Sequence, residues 1–365
     1  MSKILYVAST ISHIRSFHLP YIEALRSEGH RVLVMANGEG ADFDIPFRKK
    51  IFSSKNRKCR KMIKEILEKE NFDSIILNTS LAAFHVRLAA GGRRPRILNI
   101  VHGYLFSEKS RGVKAKIKAR LLLLAERLLR GRTDAVITMN GEDYGIAKKY
   151  KLAAKVEGCR GMGIPRREPT VSPGAIRAEH DAEGKYVLLF VGELSHRKNQ
   201  ELLIRALPKI REDVPEAELW LIGEGDERTT LEALAAELKE AGRVKFLGRK
   251  ENPTDYMRAA DLYVSASKIE GLPFNVAEAM SVGASCLLSD VKGHRDLAEG
   301  GAALLFSPNS AEEFARGVVE IYEGERLLNK DDVLAGYERY SFDNVFAETY
   351  EKIKRHIGAG EDRNG

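Results

Sequence analysis

Cysteine is scarce in this sequence and scattered where it occurs. Cys59, Cys159 and Cys286 are odd in number, far apart and in no C-x-x-C pair. Neither a disulfide framework nor a cysteine zinc site is expected, and a reducing compartment suits the chain. No apolar run reaches the roughly 18 residues that a membrane-spanning helix requires. The opening MSKILYVAS passes straight into a buried-strand pattern, without the charged lead, long apolar stretch and small-residue cleavage site of a signal peptide. These absences predict a cytoplasmic protein. No H-E-x-x-H or comparable pattern marks a metal, and no G-x-G-x-x-G follows the first strand, which removes the signature of an NAD oxidoreductase.

What is present is length and an uneven charge. With 365 residues and 44% hydrophobic content the chain is ample for two cores. Residues 1–160 hold 32 Lys and Arg against 15 Asp and Glu, whereas the remainder holds 27 against 37. The basic half calls for an anionic partner. A polyanion or an anionic membrane surface is the natural partner for such a face, solubility alone being an explanation for part of it; nucleic acid is not expected.

Short runs rich in Val, Ile and Leu alternate with helical spacing. Ile4–Ala8, Arg31–Ala36, Ser74–Asn78, Ile97–Val101 and Ala135–Met139 are strand candidates of a doubly wound α/β domain. Gly163–Lys185, with three prolines and few large apolar residues, reads as a connection. Alternation then restarts with Tyr186–Val191, Glu218–Ile222, Arg243–Phe246, Leu262–Ser265, Ala284–Ser289 and Ala303–Phe306. Two α/β domains are expected, each with its ligands beyond the carboxyl ends of the strands.

Chemistry-bearing residues fall at those ends. After Tyr186–Val191 come Gly192, then Arg197 and Lys198 beside a helix start near Asn199, a pair suited to a diphosphate. After Arg243–Phe246, Gly248 lets the backbone pass close to a flat ligand, with Arg249 beside it. After Leu262–Ser265 comes IEGLPFNVAEAM, Ile269–Met280. Pro273 suits a first helical turn, so the amides of Leu272, Phe274 and Asn275 point out of the helix start toward a phosphate. Glu278 can accept two hydrogen bonds from a vicinal diol such as a ribose, and Glu270 can accept hydroxyls beyond the phosphate. In the first half, His102 ends a strand before Gly103, and His13 follows the first strand end. His18, His30, His85, His196 and His294 have no partner spacing that assigns them a role. Asp42-Phe43-Asp44 spells a metal-binding D-x-D, but it follows the second strand, away from the donor motifs, and reads as a short acidic loop.

These residues resemble the family 4 glycosyltransferases of the GT-B fold, over nearly the whole chain. Glu270 and Glu278 fit the E-x7-E signature, Gly192 and Lys198 the G-x5-K stretch, and Phe246-Leu247-Gly248 the strand-plus-glycine stretch. NIVHGYLF resembles the family's strand-end His-Gly, which implies that His102 lies beside the transferred sugar. KILYVASTISHIRSFHLPYIEALRSEGHRV and TDAVITMNGEDYGIAKKY resemble the subgroup that makes exopolysaccharide or capsule. The resemblance implies two Rossmann-like domains facing across a cleft, residues 1–165 for the acceptor and 166–340 for the donor, with a carboxyl-terminal helix, 341–357, crossing back. It also implies retaining transfer of a hexose or N-acetylhexosamine from a UDP-linked donor to a glycan or polyprenyl-diphosphate-linked acceptor. Arg197, Lys198 and the helix amides would then stabilise the leaving diphosphate with no metal or other cofactor. Two departures stand out. Where many members have Gly-Gly, this chain has Ser12-His13-Ile14-Arg15, a candidate acceptor loop, and where many have arginine it has Glu193, which leaves Arg197 to supply the charge.

RGVKAKIKARLLLLAERLLRGR, Arg111–Arg132, places Val113, Ile117, Leu121, Leu124 and Leu128 at helical spacing, while Lys114, Lys116, Lys118, Arg120, Arg127 and Arg130 crowd other positions. It reads either as a membrane-surface helix or as a core helix with a solvated basic face. The subgroup resemblance favours the inner face of the cell membrane. Alternatives for the whole chain are a sugar-nucleotide epimerase, for which no acidic general base is found, and an exported sugar-binding protein, which would not need Lys198 or Glu278.

Overall fold

The computed structural model describes residues 1–48, 51, 53–91, 95–107 and 113–357. The chain divides into two compact units, Met1–Gly163 with Val345–Gly365, and Ile164–Asn344.

In the first unit the strands are β1 (Lys3–Thr10), β2 (Arg31–Asn37), β3 (Phe43–Asp44), β4 (Ser74–Leu77), β5 (Arg96–Val101), β6 (Ala135–Thr138) and β7 (Lys155–Gly158). They form a parallel sheet in the order β3-β2-β1-β4-β5-β6-β7. Ile4 to Ala8 in β1 are wholly buried, as expected of a central parallel strand covered by helices on both faces. β3 and β7 were not evident in the sequence. β3 is two residues long, and KVEG of β7 carries one apolar residue because it lies at the sheet edge.

The second unit holds β8 (Tyr186–Val191), β9 (Ala217–Ile222), β10 (Val244–Gly248), β11 (Leu262–Ser265), β12 (Cys286–Ser289) and β13 (Leu304–Phe306). Their order is β10-β9-β8-β11-β12-β13, again parallel. Strand order reverses between β1 and β4 in one sheet and between β8 and β11 in the other. In open sheets of this kind the reversal leaves a crevice beyond the strand ends. The residues after β1, β8 and β11 are thereby placed at such crevices.

The last helix, Phe342–His356, begins in the second unit, and its residues from Val345 pack in the first. Tyr21 packs against the rings of Phe346 and Tyr350, Thr349 Oγ1 donates to the Gly161 carbonyl at 3.0 Å, and His356 pairs with Glu157 at 2.6 Å. None of the described helices is long and apolar enough to cross a membrane.

Candidate functional site

The first cluster is built where the chain leaves β8 and β11. Gly192 has φ of +151°, and a Cβ at Gly223 would lie 2.0 Å from the Gly192 carbonyl oxygen. Only glycine allows these two turns to run so close. Gln200 then closes the loop, donating to the Glu193 carbonyl at 2.8 Å and accepting from the Ser195 amide at 3.3 Å. Asn199, left-handed at φ of +59°, caps the helix Gln200–Asp213 and donates through Nδ2 to the Ala266 carbonyl beyond β11.

That link delivers two cations to one carboxylate. Lys198 Nζ is 2.7 Å from Glu270 Oε1, and Arg197 Nη1 is 3.1 Å from Glu270 Oε2. The Lys198 and Glu270 side chains are 9% and 7% exposed, so the pair sits out of bulk water, whereas Arg197 is 42% exposed. Burial alone would push the Glu270 carboxyl up, yet Lys198, Arg197 and His294 together hold it at about 2. Glu270 is therefore a permanently charged, weakly basic group. It suits accepting hydroxyls and fixing the two cations better than taking a proton.

The helix Phe274–Ser281 starts next to this cluster. Pro273 is its N-cap, one place earlier than the first-turn position its residue type suggested. The first turn of a helix presents N–H groups with no intrahelical partner and carries the positive end of the dipole, an anion site in form. Asn275 fixes the start in place. Its Nδ2 donates to the Val191 carbonyl at 2.6 Å and to Tyr263 Oη at 2.9 Å, so the side chain is structural while the backbone remains at the helix start. One turn on, the Glu278 side chain is 20% exposed, with Arg167 Nε at 3.8 Å. Burial pushes its carboxyl up and Arg167 opposes that. Arg167 also lines a cavity of about 550 Å³ with Lys250, Asn252 and Tyr256. Gly248, at φ of +65°, ends β10 and accepts from the Gly223 amide, and Arg249 beside it is exposed.

The second cluster lies in the first unit. Ser12-His13-Ile14-Arg15, expected as a loop, belongs to the helix Ile11–Phe17, capped by Thr10, whose Oγ1 accepts from the His13 amide. Its faces diverge. Ser12 is exposed and bonds Thr10, Arg15 donates to the Glu39 carbonyl at 2.9 Å, and His13 turns inward. There His102 Nε2 lies 2.9 Å from His18 Nε2, with the His13 ring centroid 4.5 Å from that of His102. Burial lowers all three imidazoles, His13 to about 4, so each is neutral at pH 7. Asp42-Phe43-Asp44, expected as a short acidic loop, instead holds strand β3: Asp42 accepts from the Val34 amide of β2, and Asp44, in β3, accepts from the Gly38 amide.

The basic segment contains the helix Val113–Leu129; Arg111 lies outside the described residues. Ala119, Leu122 and Leu123 pack toward Val101, Tyr104 and Phe106, and Glu126 forms a two-pronged pair with buried Arg87 at 2.8 and 2.9 Å. The apolar stripe read from the sequence is on the other side. Val113, Ile117, Leu121, Leu124 and Leu128 are half to three-quarters exposed, flanked by exposed Lys114, Lys118, Arg120 and Arg127.

The family described as glycosyl transferases group 1 matches residues 174–336, which hold both the Lys198–Glu270 cluster and Glu278. EpsD of Bacillus subtilis, assigned as a glycosyltransferase, is 30% identical over 90% of this chain and 89% of its own. The chain belongs to the group 1 glycosyltransferases, family 4. An Escherichia coli UDP-Gal:α-D-GlcNAc-diphosphoundecaprenol α-1,3-galactosyltransferase is 24% identical over 73% of this chain and 70% of its own. HepE of Anabaena, solved with UDP and glucose, is 19% identical and superposes with a TM-score of 0.75 over 97% of this chain and 100% of that one. The fold is GT-B.

In this glycosyltransferase, Gly192, Arg197, Lys198, Glu270 and the Phe274–Ser281 helix with Glu278 thus come together in the second unit, and His13 and His102 in the first. The sequence did not point to Arg167, which comes from the connecting segment, nor to His18. A histidine five residues after His13 was visible, but only the turn between the helices Ile11–Phe17 and Leu19–Ser27 brings it onto His102.

Proposed function

We propose that this glycosyltransferase moves a hexose or N-acetylhexosamine from a UDP-sugar to a lipid-linked glycan in bacterial surface polysaccharide synthesis, with the anomeric configuration retained. The second unit binds the donor and the first the acceptor. One observation carries the donor assignment: a buried Lys198–Glu270 pair, reinforced by Arg197, next to the start of the helix Phe274–Ser281. The UDP complex of HepE and the lipid-linked acceptor of the E. coli relative support the substrate classes.

Departure of UDP breaks the C1–O bond and builds negative charge on the diphosphate. Lys198, Arg197 and the helix amides are fixed donors for that charge, each well-aimed one worth about 3–4 kcal/mol in the transition state, so no metal or other cofactor is required. The acceptor oxygen attacks from the side the diphosphate leaves, where the departing phosphate oxygen is the nearest base for its proton. Glu270, held at about 2, stays ionised and orients sugar hydroxyls rather than taking a proton. Work at the inner face of the membrane fits the exposed apolar stripe of Val113–Leu129 and its flanking cations.

Glu278→Ala tests the ribose contact. Losing two hydrogen bonds to a charged group is expected to raise the UDP dissociation constant roughly 10- to 100-fold. The fold should not suffer. An acid whose folded pKa is raised disfavours the native state at neutral pH, so removing it leaves the melting temperature unchanged or higher. Calorimetric titration with UDP beside a thermal melt measures both, and an unchanged dissociation constant would remove the ribose assignment.

A further inference from the structure

We infer that Tyr6 and His18 are positioning residues that hold His102 in a single tautomer, with its proton on Nδ1. Two contacts in a row carry this: Tyr6 Oη lies 3.1 Å from His18 Nδ1, and His18 Nε2 lies 2.9 Å from His102 Nε2. Tyr6 and His18 are both wholly buried. Tyr6 Oη makes no other hydrogen bond to the described residues, so if His18 Nδ1 were the donor the phenolic hydrogen would lack an acceptor inside the core. Buried polar hydrogens avoid that state. The phenol therefore donates to Nδ1, His18 carries its proton on Nε2, and that N–H donates to His102 Nε2. A neutral imidazole that accepts at Nε2 has its hydrogen on Nδ1. Burial first, then the neighbouring imidazoles, keeps both rings below the ordinary histidine range, so the chain of bonds holds at neutral pH.

The same three histidines have nitrogens within 4.8 Å of one another, which invites a metal. Two nitrogens on one tetrahedral zinc at Zn–N near 2.0–2.1 Å stand about 3.3 Å apart. The 2.9 Å between His18 and His102 is instead a hydrogen-bond distance. No acid or cysteine joins the three among the described residues.

The functional consequence rests on the proposal that His102 meets the transferred sugar: a ring locked with hydrogen on Nδ1 offers that sugar a donor. The tautomer itself is measurable without substrate. In protein labelled with ¹⁵N-histidine at neutral pH, long-range ¹H–¹⁵N correlations are expected to show His102 protonated at Nδ1 and His18 at Nε2. Tyr6→Phe should turn the His102 signal into a mixture. For donor turnover, His18→Leu should lower kcat about tenfold with little change in KM, the effect of one lost neutral hydrogen bond. His18→Gln, whose amide N–H can replace the lost donor, should recover most of it; a merely structural role predicts no such rescue. An Nε2-protonated His102 in the parent protein, equal activity of the Leu and Gln variants, or one zinc bound per parent chain and none by His18→Leu would each overturn the inference. The expected tautomers together with full turnover by His102→Ala would uphold the relay and remove His102 from the sugar.

Discussion

Lys198→Ala is expected to lower turnover roughly 10²- to 10³-fold, as does the loss of one preorganised donor aimed at developing charge. The same change should alter how the protein responds to acid. Glu270 is held at about 2 in the folded chain, below the ordinary value near 4.3 of an unfolded glutamate. A depressed folded pKa gives stability that is complete above the unfolded value and is lost as pH falls toward the folded one. The parent should therefore lose part of its stability between pH 4.3 and 2. Without Lys198 the buried carboxylate keeps only the partly exposed Arg197, its pKa rises, and neutral-pH stability falls by about 3 kcal/mol. Thermal melts at pH 7 and pH 3 should then differ less in the variant than in the parent. Turnover within threefold of the parent would contradict the role of Lys198.

Release from anionic membranes is the second large effect. In the helix Val113–Leu129, Lys114, Lys116 and Lys118 are exposed beside the apolar stripe. Each cation near an anionic lipid surface adds about 1 kcal/mol, and the attraction decays within a Debye length of roughly 10 Å at 0.1 M salt. Changing all three to Gln should weaken binding to phosphatidylglycerol vesicles about 100-fold while leaving donor hydrolysis intact. The parent should sediment with the vesicles at low salt and release at high salt. A parent that stays in the supernatant at low salt would remove the membrane from this account.

The strands and the strand-end cluster of the second unit were legible because both are local. A buried parallel strand is a run of Val, Ile and Leu, and eleven of the thirteen could be placed from such runs; the two missed were an edge strand with one apolar residue and a two-residue pair. Glycine turns and charged residues at strand ends announced Gly192, Lys198, Glu270 and Glu278 for the same reason. What was hidden depends on contacts between distant segments. Nothing near Glu270 says that its carboxylate already holds both Arg197 and Lys198, 73 and 72 residues earlier. The stripe Val113 to Leu128 has the period of a buried face, and only the Arg87–Glu126 pair and the packing of Leu122 and Leu123 turn it outward. His18 looked like any buried histidine until β5 brought His102 to it.

The proposed reaction is transfer from a UDP-sugar on a site that stabilises the diphosphate with Lys198, Arg197 and helix amides. Incubating the protein with a panel of sugar nucleotides in excess EDTA, and following free nucleoside diphosphate and sugar, tests it most directly. Slow release of UDP with its sugar from one UDP-linked donor, undiminished by the chelator, is the expected result. Epimerisation, binding without turnover, or activity abolished by EDTA and restored by magnesium or manganese would contradict it.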